Sequence, residues 1–353
     1  MKILIAADWH GSEIYADVFK NKFEKLGHEV ICFSWKEYFK HYQYPQRYQT
    51  DGNVLKSIYF RFQNKYIFGP VIRRLNADFL RAVNKNKPDI LFIYRGTHIL
   101  PKTLKEIKKN NIVTIFGYNN DDPFSPKYPK YFWRHFMGGI KLYDHLFCYR
   151  KHNVDEFISA GCKSVSLLRA YYTHERNKIV STSSSQYSCD IIFIGHFEDD
   201  GRDQYLLELL MTDFEVKIYG TGWEKSKLYK KLLLLNGPIE PLYADYNLAL
   251  NSAKIALVFL SKLNRDTYTR RCFEIPAAGT LMLSEYTQDL DSIFQKGVDA
   301  DYFNSCAELL EKVSFYLNNP DILQKVTDSG HARLLRDGHE AEDRVKEILE
   351  RYY

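Results

Sequence analysis

Short apolar runs recur along this chain, each followed by a loop and then by a stretch of helical period, and this alternation restricts the fold more than any other feature. Lys2–Ala7 (KILIAA) reads as a buried strand. A loop follows at residues 8–12, then an amphipathic helix to about Leu26, with Gly27 as its natural stop, and a second strand over 29–33. A strand–helix–strand opening of this kind implies a parallel sheet. The rhythm continues with a strand at 89–94 (DILFIY), a helix at 101–109 and strands at 112–116 and 143–148. A helix running to Ala160, stopped by Gly161, leads to a strand at 164–168. Residues 175–188 (ERNKIVSTSSSQYS) are polar and serine-rich, with little to bury, and read as a linker.

Beyond the linker the pattern restarts. CDIIFIG is a strand, 203–211 a helix, VKIYG a strand, 228–235 a helix, and NGPIEP a turn before the next helix and the strand KIALVFL. Helices follow at 305–316 and 322–336, and a charged helix at 340–353 ends the chain. A chain of 353 residues with 45% hydrophobic content can bury two cores. The expected division is 1–178 and 179–337, with 338–353 a helix packing back toward the first domain.

Composition excludes several classes. The net charge of +5 is too mild to imply nucleic acid, and no apolar run reaches the length of a membrane span. The opening MKILIAADWH runs straight into a strand with no signal-peptide pattern, so a cytoplasmic location is expected. Cys32, Cys148, Cys162, Cys189, Cys272 and Cys306 never fall in CxxC spacing, which favours buried, reduced thiols over disulfides or zinc. Much of the excess of basic and aromatic residues lies between Trp35 and Arg81. That stretch suits contact with anionic lipid headgroups, at the inner face of a membrane, or with a lipid-linked substrate. An ordinary helical excursion with its tyrosines packed on the core fits equally well.

The stretch that best carries chemistry is 266–285, DTYTRRCFEIPAAGTLMLSE. It places paired arginines before a short helical turn that carries Glu274; Gly279 stops the turn and an apolar strand follows at 280–284. A carboxylate can accept hydrogen bonds from two vicinal ribose hydroxyls, and guanidinium forks can clamp a diphosphate. The loop DWHGS and the turn GYNNDDPFSP follow strands and so deliver polar groups to a sheet edge, which makes His10, Asp121 and Asp122 candidates. Each of these has a plain alternative as a loop or capping residue. The first strand–helix turn lacks GxGxxG, so a dinucleotide site is not expected there.

The run from Cys189 through Arg344 resembles the group 1 glycosyltransferases of the GT-B fold, particularly the spore-maturation CgeB-like branch. The matching pieces are IFIGHFEDDGR, VKIYGTGW, RCFEIPAAGTLMLSE, LDSIFQKGVDADYF and AELLEKVSFYLNNPD, with NDDP and YDHLFCYRKHNVDEFISAGC in the first half. The resemblance implies an α/β GT-B architecture, two Rossmann-like domains facing across a cleft. It implies that Glu274 holds the donor ribose and that Asp266, where many retaining members have Glu, makes the pattern D-x7-E. Arg271 matches the arginine of the RxFE motif. Arg202 lies where a phosphate-binding basic residue is expected, with Gly195 allowing close approach of the backbone and amides near Thr269 as further donors. Tyr219, Gly220 and the turn around Ile239 sit where such enzymes grip the base.

The DxD pairs Asp289/Asp291 and Asp299/Asp301 fall beyond the donor helix and read as decoys for a metal-chelating transferase; no metal or other cofactor is expected. His135, His145 and His152 lack any paired metal spacing. The expectation is therefore a metal-independent hexosyltransferase. It would move a sugar from a nucleotide-diphosphate donor to a saccharide or lipid-linked acceptor in surface polysaccharide biosynthesis. Retention is favoured by D-x7-E, and His10 or Asp122 would be the base of an inverting enzyme. The alternatives are a nucleotide-sugar epimerase or hydrolase, or a non-catalytic nucleotide-sugar-binding assembly protein.

Overall fold

The computed structural model describes residues 1–7, 16–36, 38, 54–182 and 186–353; His10 and the first strand–helix loop lie outside the described residues. The chain divides into two compact units, Met1–Arg169 with Ala341–Tyr353, and Ala170–Glu340.

The first unit runs β1 (Lys2–Ala7), α1 (Ala16–Lys25), β2 (Glu29–Ser34), α2 (Val54–Tyr66), α3 (Pro70–Asn86) and β3 (Ile90–Tyr94). It continues with α4 (Pro101–Asn110), β4 (Thr114–Asn119), α5 (Arg134–Gly139), β5 (His145–Cys148), α6 (Lys151–Ser159) and β6 (Val165–Leu167). Its six strands pair in the order β2-β1-β3-β4-β5-β6, all parallel. The buried strands are contiguous apolar runs because helices cover both faces of a parallel sheet. Leu4, Leu91, Ile93, Ile115 and Leu146 meet Leu75, Phe79 and Phe136 in one core. Asn76, buried on α3, stitches this layer together. Its amide donates to the carbonyls of Ile72 and His98, and its oxygen accepts from the Leu100 amide and the Thr103 hydroxyl. The start of α4 is thereby capped from another helix, which Leu100 cannot do for itself.

The second unit runs β7 (Cys189–Ile194), α7 (Arg202–Leu210), β8 (Val216–Tyr219), α8 (Tyr229–Asn236), α9 (Tyr246–Asn251) and β9 (Ala253–Val258). Then come α10 (Arg271–Ala277), β10 (Leu281–Glu285), α11 (Gln288–Asp291), β11 (Asp301–Phe303), α12 (Cys306–Asn318) and α13 (Pro320–Arg336). Its five strands are parallel, ordered β11-β10-β9-β7-β8, over a core that includes Ile191, Phe193, Leu206, Trp223, Ile255 and Leu281. The last helix, α14 (Ala341–Glu350), belongs to the first unit and lies against α1, with Lys25 2.6 Å from Glu342. Residues 170–178 belong to the second unit, where the Tyr172 amide donates to the His339 carbonyl.

Two elements differ notably from those expected. β4 starts two residues late, with Ile112 fully exposed, and extends through Gly117-Tyr118-Asn119, which pair with β3 and β5. The helical excursion weighed for the basic and aromatic stretch is two helices, broken at Ile67–Gly69. Ile67 and Gly69 both have positive φ and Pro70 opens α3. All six cysteines are free, and burial pushes the thiols of Cys148, Cys162 and Cys189 up to about 12. Among the described residues no helix is long and apolar enough to cross a membrane.

Candidate functional site

In an open parallel sheet a ligand binds beyond the carboxyl ends of the strands, where the strand order reverses. In the second unit that point lies between β7 and β9, because the chain passes from β7 to β8 on one side and returns to β9 on the other. Gly195 stands at the end of β7. Its amide donates to the Tyr219 carbonyl and its own carbonyl accepts the Trp223 indole N–H at 3.0 Å. Gly220 crosses so close that a Cβ built on it would fall 1.8 Å from the Gly195 oxygen, and its φ of +143° is a second reason for glycine there. The Gly220 amide donates to the Glu240 carbonyl, which brings the turn containing the half-buried Ile239 beside Tyr219 and Gly220. The residues expected to grip a base are thus assembled by backbone hydrogen bonds.

Helix α10 supplies the charged groups. Its residues from Cys272 to Ala277 are all buried, so Glu274, 9% exposed, needs partners. It accepts a hydrogen bond of 2.8 Å from the Tyr246 hydroxyl at Oε2 and pairs through Oε1 with Arg270 Nε, also at 2.8 Å. Burial and the adjoining Glu274 charge hold the Tyr246 phenol well above its ordinary pKa. Each carboxylate oxygen has room for a second hydrogen bond. The helix ends as the pattern required: the amides of Ala278, Gly279 and Thr280 take its last carbonyls, with Gly279 at φ +71°.

The two arginines divide. Arg270 is the ion-pair partner of Glu274 and lies over the Tyr171 ring at 4.8 Å. Arg271 points the other way, its NH1 only 3.3 Å from where a Cβ on Gly195 would sit. Its buried Nε has no hydrogen-bond partner among the described residues. A cation is therefore held over the strand-order switch point.

Two expected contacts, Arg202 and the Thr269 amide, take different roles. Arg202 is almost wholly buried and its guanidinium is committed. Nε and NH2 fork onto Asp200 at 2.8 and 2.6 Å, and NH1 donates to the His196 carbonyl at 2.9 Å. It orders the loop after β7 and offers no surface to a phosphate. Glu198 in the same loop accepts from Ser261. Burial raises its pKa, but the His196 hydrogen bond and the Arg202 charge outweigh that and leave it at about 2. The Thr269 amide is directed at the Cys272 sulfur, within the first turn of α10. Asp266 is half-buried in the β9–α10 loop, its amide donating to the Ser261 carbonyl. Glu285 accepts from the Leu260 amide at 2.6 Å and from Lys262 at 3.0 Å, which fixes the loop after β9.

The DxD carboxylates have structural partners. Asp289 accepts from Thr267, Asp291 from the Lys296 amide, Asp299 from Ser329, and Asp301 from Lys312 and Tyr316.

In the first unit Asp122 follows β4 and is completely buried. Its Oδ1 accepts from the Phe124 amide and from Asn153, and its Oδ2 lies 3.5 Å from His152 Nε2. Direct contact with a substrate hydroxyl is thereby closed to Asp122, and the partly exposed His152 at the start of α6 stands in front of it. Asp122, His152 and Glu156 bring ligand atoms within 4.8 Å of one another, the one such group among the described residues that could hold a metal ion. The Asn153 amide already bridges the two carboxylates, at 3.0 Å from Asp122 and 2.7 Å from Glu156. Asp121 pairs instead with Arg95 at 2.5 Å.

Sequence reasoning gave no role to Tyr246 and Trp223 in the second unit or to His152 in the first, and read Arg270 with Arg271 as a diphosphate clamp. Trp223 and Arg270 lie inside quoted motifs, whereas no spacing joins Tyr246 to Glu274.

Comparison with known proteins bears on the fold. Sucrose-phosphate synthase from Thermosynechococcus elongatus superposes with a TM-score of 0.72 at 9% identity, over 100% of this chain and 98% of that one. HepE from Anabaena, solved with UDP-glucose, gives 0.68 at 12% identity over 99% of both chains. The lipopolysaccharide outer core galactosyltransferase WaaB gives 0.61 at 13% identity, over 99% of this chain and 100% of that one. No curated protein matches the chain by sequence. Residues 202–350 match the family described as glycosyl transferase-like. The chain therefore carries a glycosyl transferase-like segment on the two Rossmann-like domains of the GT-B fold.

Proposed function

We propose that the protein is a glycosyltransferase that takes a sugar from a nucleoside-diphosphate donor. The observation that carries the reading is Arg271: a cation without a protein partner among the described residues, beside the Gly195 backbone at the strand-order switch point. Glu274, held by Tyr246 and Arg270, is the ribose contact in this reading, and the Tyr219–Gly220 and Ile239 turns line the base.

In the transfer step the bond from the anomeric carbon to the diphosphate oxygen breaks, and its electron pair leaves with the diphosphate. Arg271 stabilises the charge that grows there, as a preorganised donor does at a developing oxyanion. A new bond forms from the acceptor oxygen to the anomeric carbon. With retention, favoured by Asp266 and Glu274 in D-x7-E, the departing phosphate oxygen takes the acceptor proton. Were the outcome inversion, a protein base would have to take that proton.

UDP-sugars are the first donors to try, since the HepE structure holds UDP-glucose. The acceptor is a saccharide or a lipid-linked saccharide, the setting is cytoplasmic assembly of a surface polysaccharide, and donor binding needs no metal. A thermal-shift screen of UDP, GDP, dTDP and CMP sugars, with and without chelator, tests the donor site. At least one should raise Tm with chelator present, and Glu274→Ala should abolish the shift. No stabilisation of the wild type, or equal stabilisation of the variant, defeats the proposal. Turnover of donor without any acceptor would identify an epimerase or hydrolase instead.

A further inference from the structure

Helix α2 buries an amide while it turns large apolar side chains outward. Its inward face carries Gln63, 1% exposed, while Leu55, Ile58 and Phe62 are 79%, 56% and 52% exposed. At about 100° of rotation per residue, positions 55, 58, 59, 62 and 66 fall on one arc roughly 100° wide. Leu55, Ile58, Tyr59, Phe62 and Tyr66 therefore form a single stripe. Phe62 packs against Tyr66 at 4.7 Å and against the exposed Phe68 at 5.2 Å, which extends the stripe past the end of the helix.

Charge identifies what this stripe meets. Residues 54–74 contain Lys56, Arg61, Lys65, Arg73 and Arg74 and no aspartate or glutamate. Arg61, Lys65, Arg73 and Arg74 are exposed, and on the helix Arg61 and Lys65 border the stripe. Lys65 Nζ lies 5.5 Å from the Tyr66 ring and 6.0 Å from that of Tyr131, with its charge beside the aromatic patch. Leucine, isoleucine and phenylalanine flanked by tyrosines and basic residues, with no acid, match a helix that lies in the boundary between lipid headgroups and acyl chains. A protein partner offering an acidic rim would satisfy the cations too. However, aromatic rings interleaved with lysine and arginine along one helical face favour the lipid.

We infer that α2 lies in the plane of an anionic bilayer surface, with the stripe from Leu55 to Tyr66 inserted and the flanking cations on lipid phosphates. The inference stands without the transfer reaction, because it concerns vesicle binding in the absence of donor.

The test is co-sedimentation of the full chain with vesicles of phosphatidylglycerol and phosphatidylcholine, and with vesicles of phosphatidylcholine alone. Binding to the mixed vesicles at low salt that weakens as salt rises is expected. The double substitution Leu55→Ser, Phe62→Ser should lower partitioning by at least about tenfold. Arg61→Gln with Lys65→Gln should weaken binding and flatten its salt dependence. Unchanged far-UV circular dichroism and Tm would show that both variants fold. Failure to bind either vesicle, or equal binding by the Leu55/Phe62 variant, overturns the inference. So does a wild-type dimer in light scattering that this variant converts to monomer, since the stripe would then cover a second copy of the chain.

Discussion

Arg270 and Arg271 are adjacent in sequence yet carry opposite assignments, and replacing each by alanine separates them. Among the described residues Arg271 has no ion pair, and its Nε is buried without a hydrogen bond, so Arg271→Ala removes little that holds the folded protein together. Its loss should be felt on a diphosphate. A charge-assisted hydrogen bond contributes about 1.5–3 kcal/mol, so losing one guanidinium fork should cost about 2–3 kcal/mol, or roughly 30- to 150-fold in Kd. Arg270→Ala strips one partner from a mostly buried pair 2.8 Å long and leaves Glu274 leaning on Tyr246. Breaking a pair of that kind costs about 3–5 kcal/mol of stability. Calorimetric titration with UDP and with uridine, beside thermal melts, reads both effects. Arg271→Ala should lose UDP affinity, keep whatever uridine affinity the wild type has, and melt near the wild type. Arg270→Ala should melt several degrees lower. An equal loss for UDP and uridine in Arg271→Ala, or a Tm drop matching that of Arg270→Ala, refutes the division.

Two further outcomes follow from single residues. In Gly220→Ala the new Cβ would fall 1.8 Å from a backbone oxygen at a φ of +143°, a clash no rotamer relieves. The ends of β7 and β8 must therefore part, and the variant should lose nucleotide-dependent stabilisation along with at least about 3 kcal/mol measured by urea unfolding. His145 sits between the Ser164 and Ser166 hydroxyls at 2.8 and 2.7 Å. Burial, with the Arg351 charge second, lowers its pKa to about 4. The folded state thus binds a proton less readily than the unfolded state, so stability is full above the ordinary histidine pKa and falls as pH drops from about 6.5 to 4, by about 3 kcal/mol. Urea titrations across that range should show the decline in the wild type and a flatter profile in His145→Gln; parallel profiles would contradict it.

The sheets were readable because strands buried on both faces are contiguous apolar runs, and KILIAA, ILFIY and CDIIFI could be little else. β4 was misplaced for the converse reason. Its second half is Gly117-Tyr118-Asn119, and the glycine is there because Leu146 and Tyr143 fill the place of its side chain, a neighbour relation the local sequence does not carry. Helix α10 was legible in outline, since Glu274 before a glycine stop is a local pattern. What each arginine does is a matter of rotation. One residue of helical turn sends Arg270 to Glu274 and Arg271 to Gly195, and sequence adjacency hides that difference.

Arg202 and α2 mark where local chemistry gave the wrong weight. A basic residue in the loop after β7 suggests an anion, yet Asp200, two positions earlier, already supplies one, and the fork between them is buried. In FEDDGR the acidic residues outnumber the arginine, which is a reason to expect a self-neutralised loop. In α2 the basic and aromatic composition was plain, but the buried side was not. A hydrophobic-inward rule would turn Phe62 to the core and Gln63 to water, and the structure does the reverse. Gln63 is accommodated because it accepts from the Tyr59 hydroxyl and reaches the Asn64 side chain, so its burial carries little of the cost of an orphaned amide. The apolar residues are thereby released to the outer face without a penalty inside, and a surface that excludes water from that face is what would make the arrangement favourable.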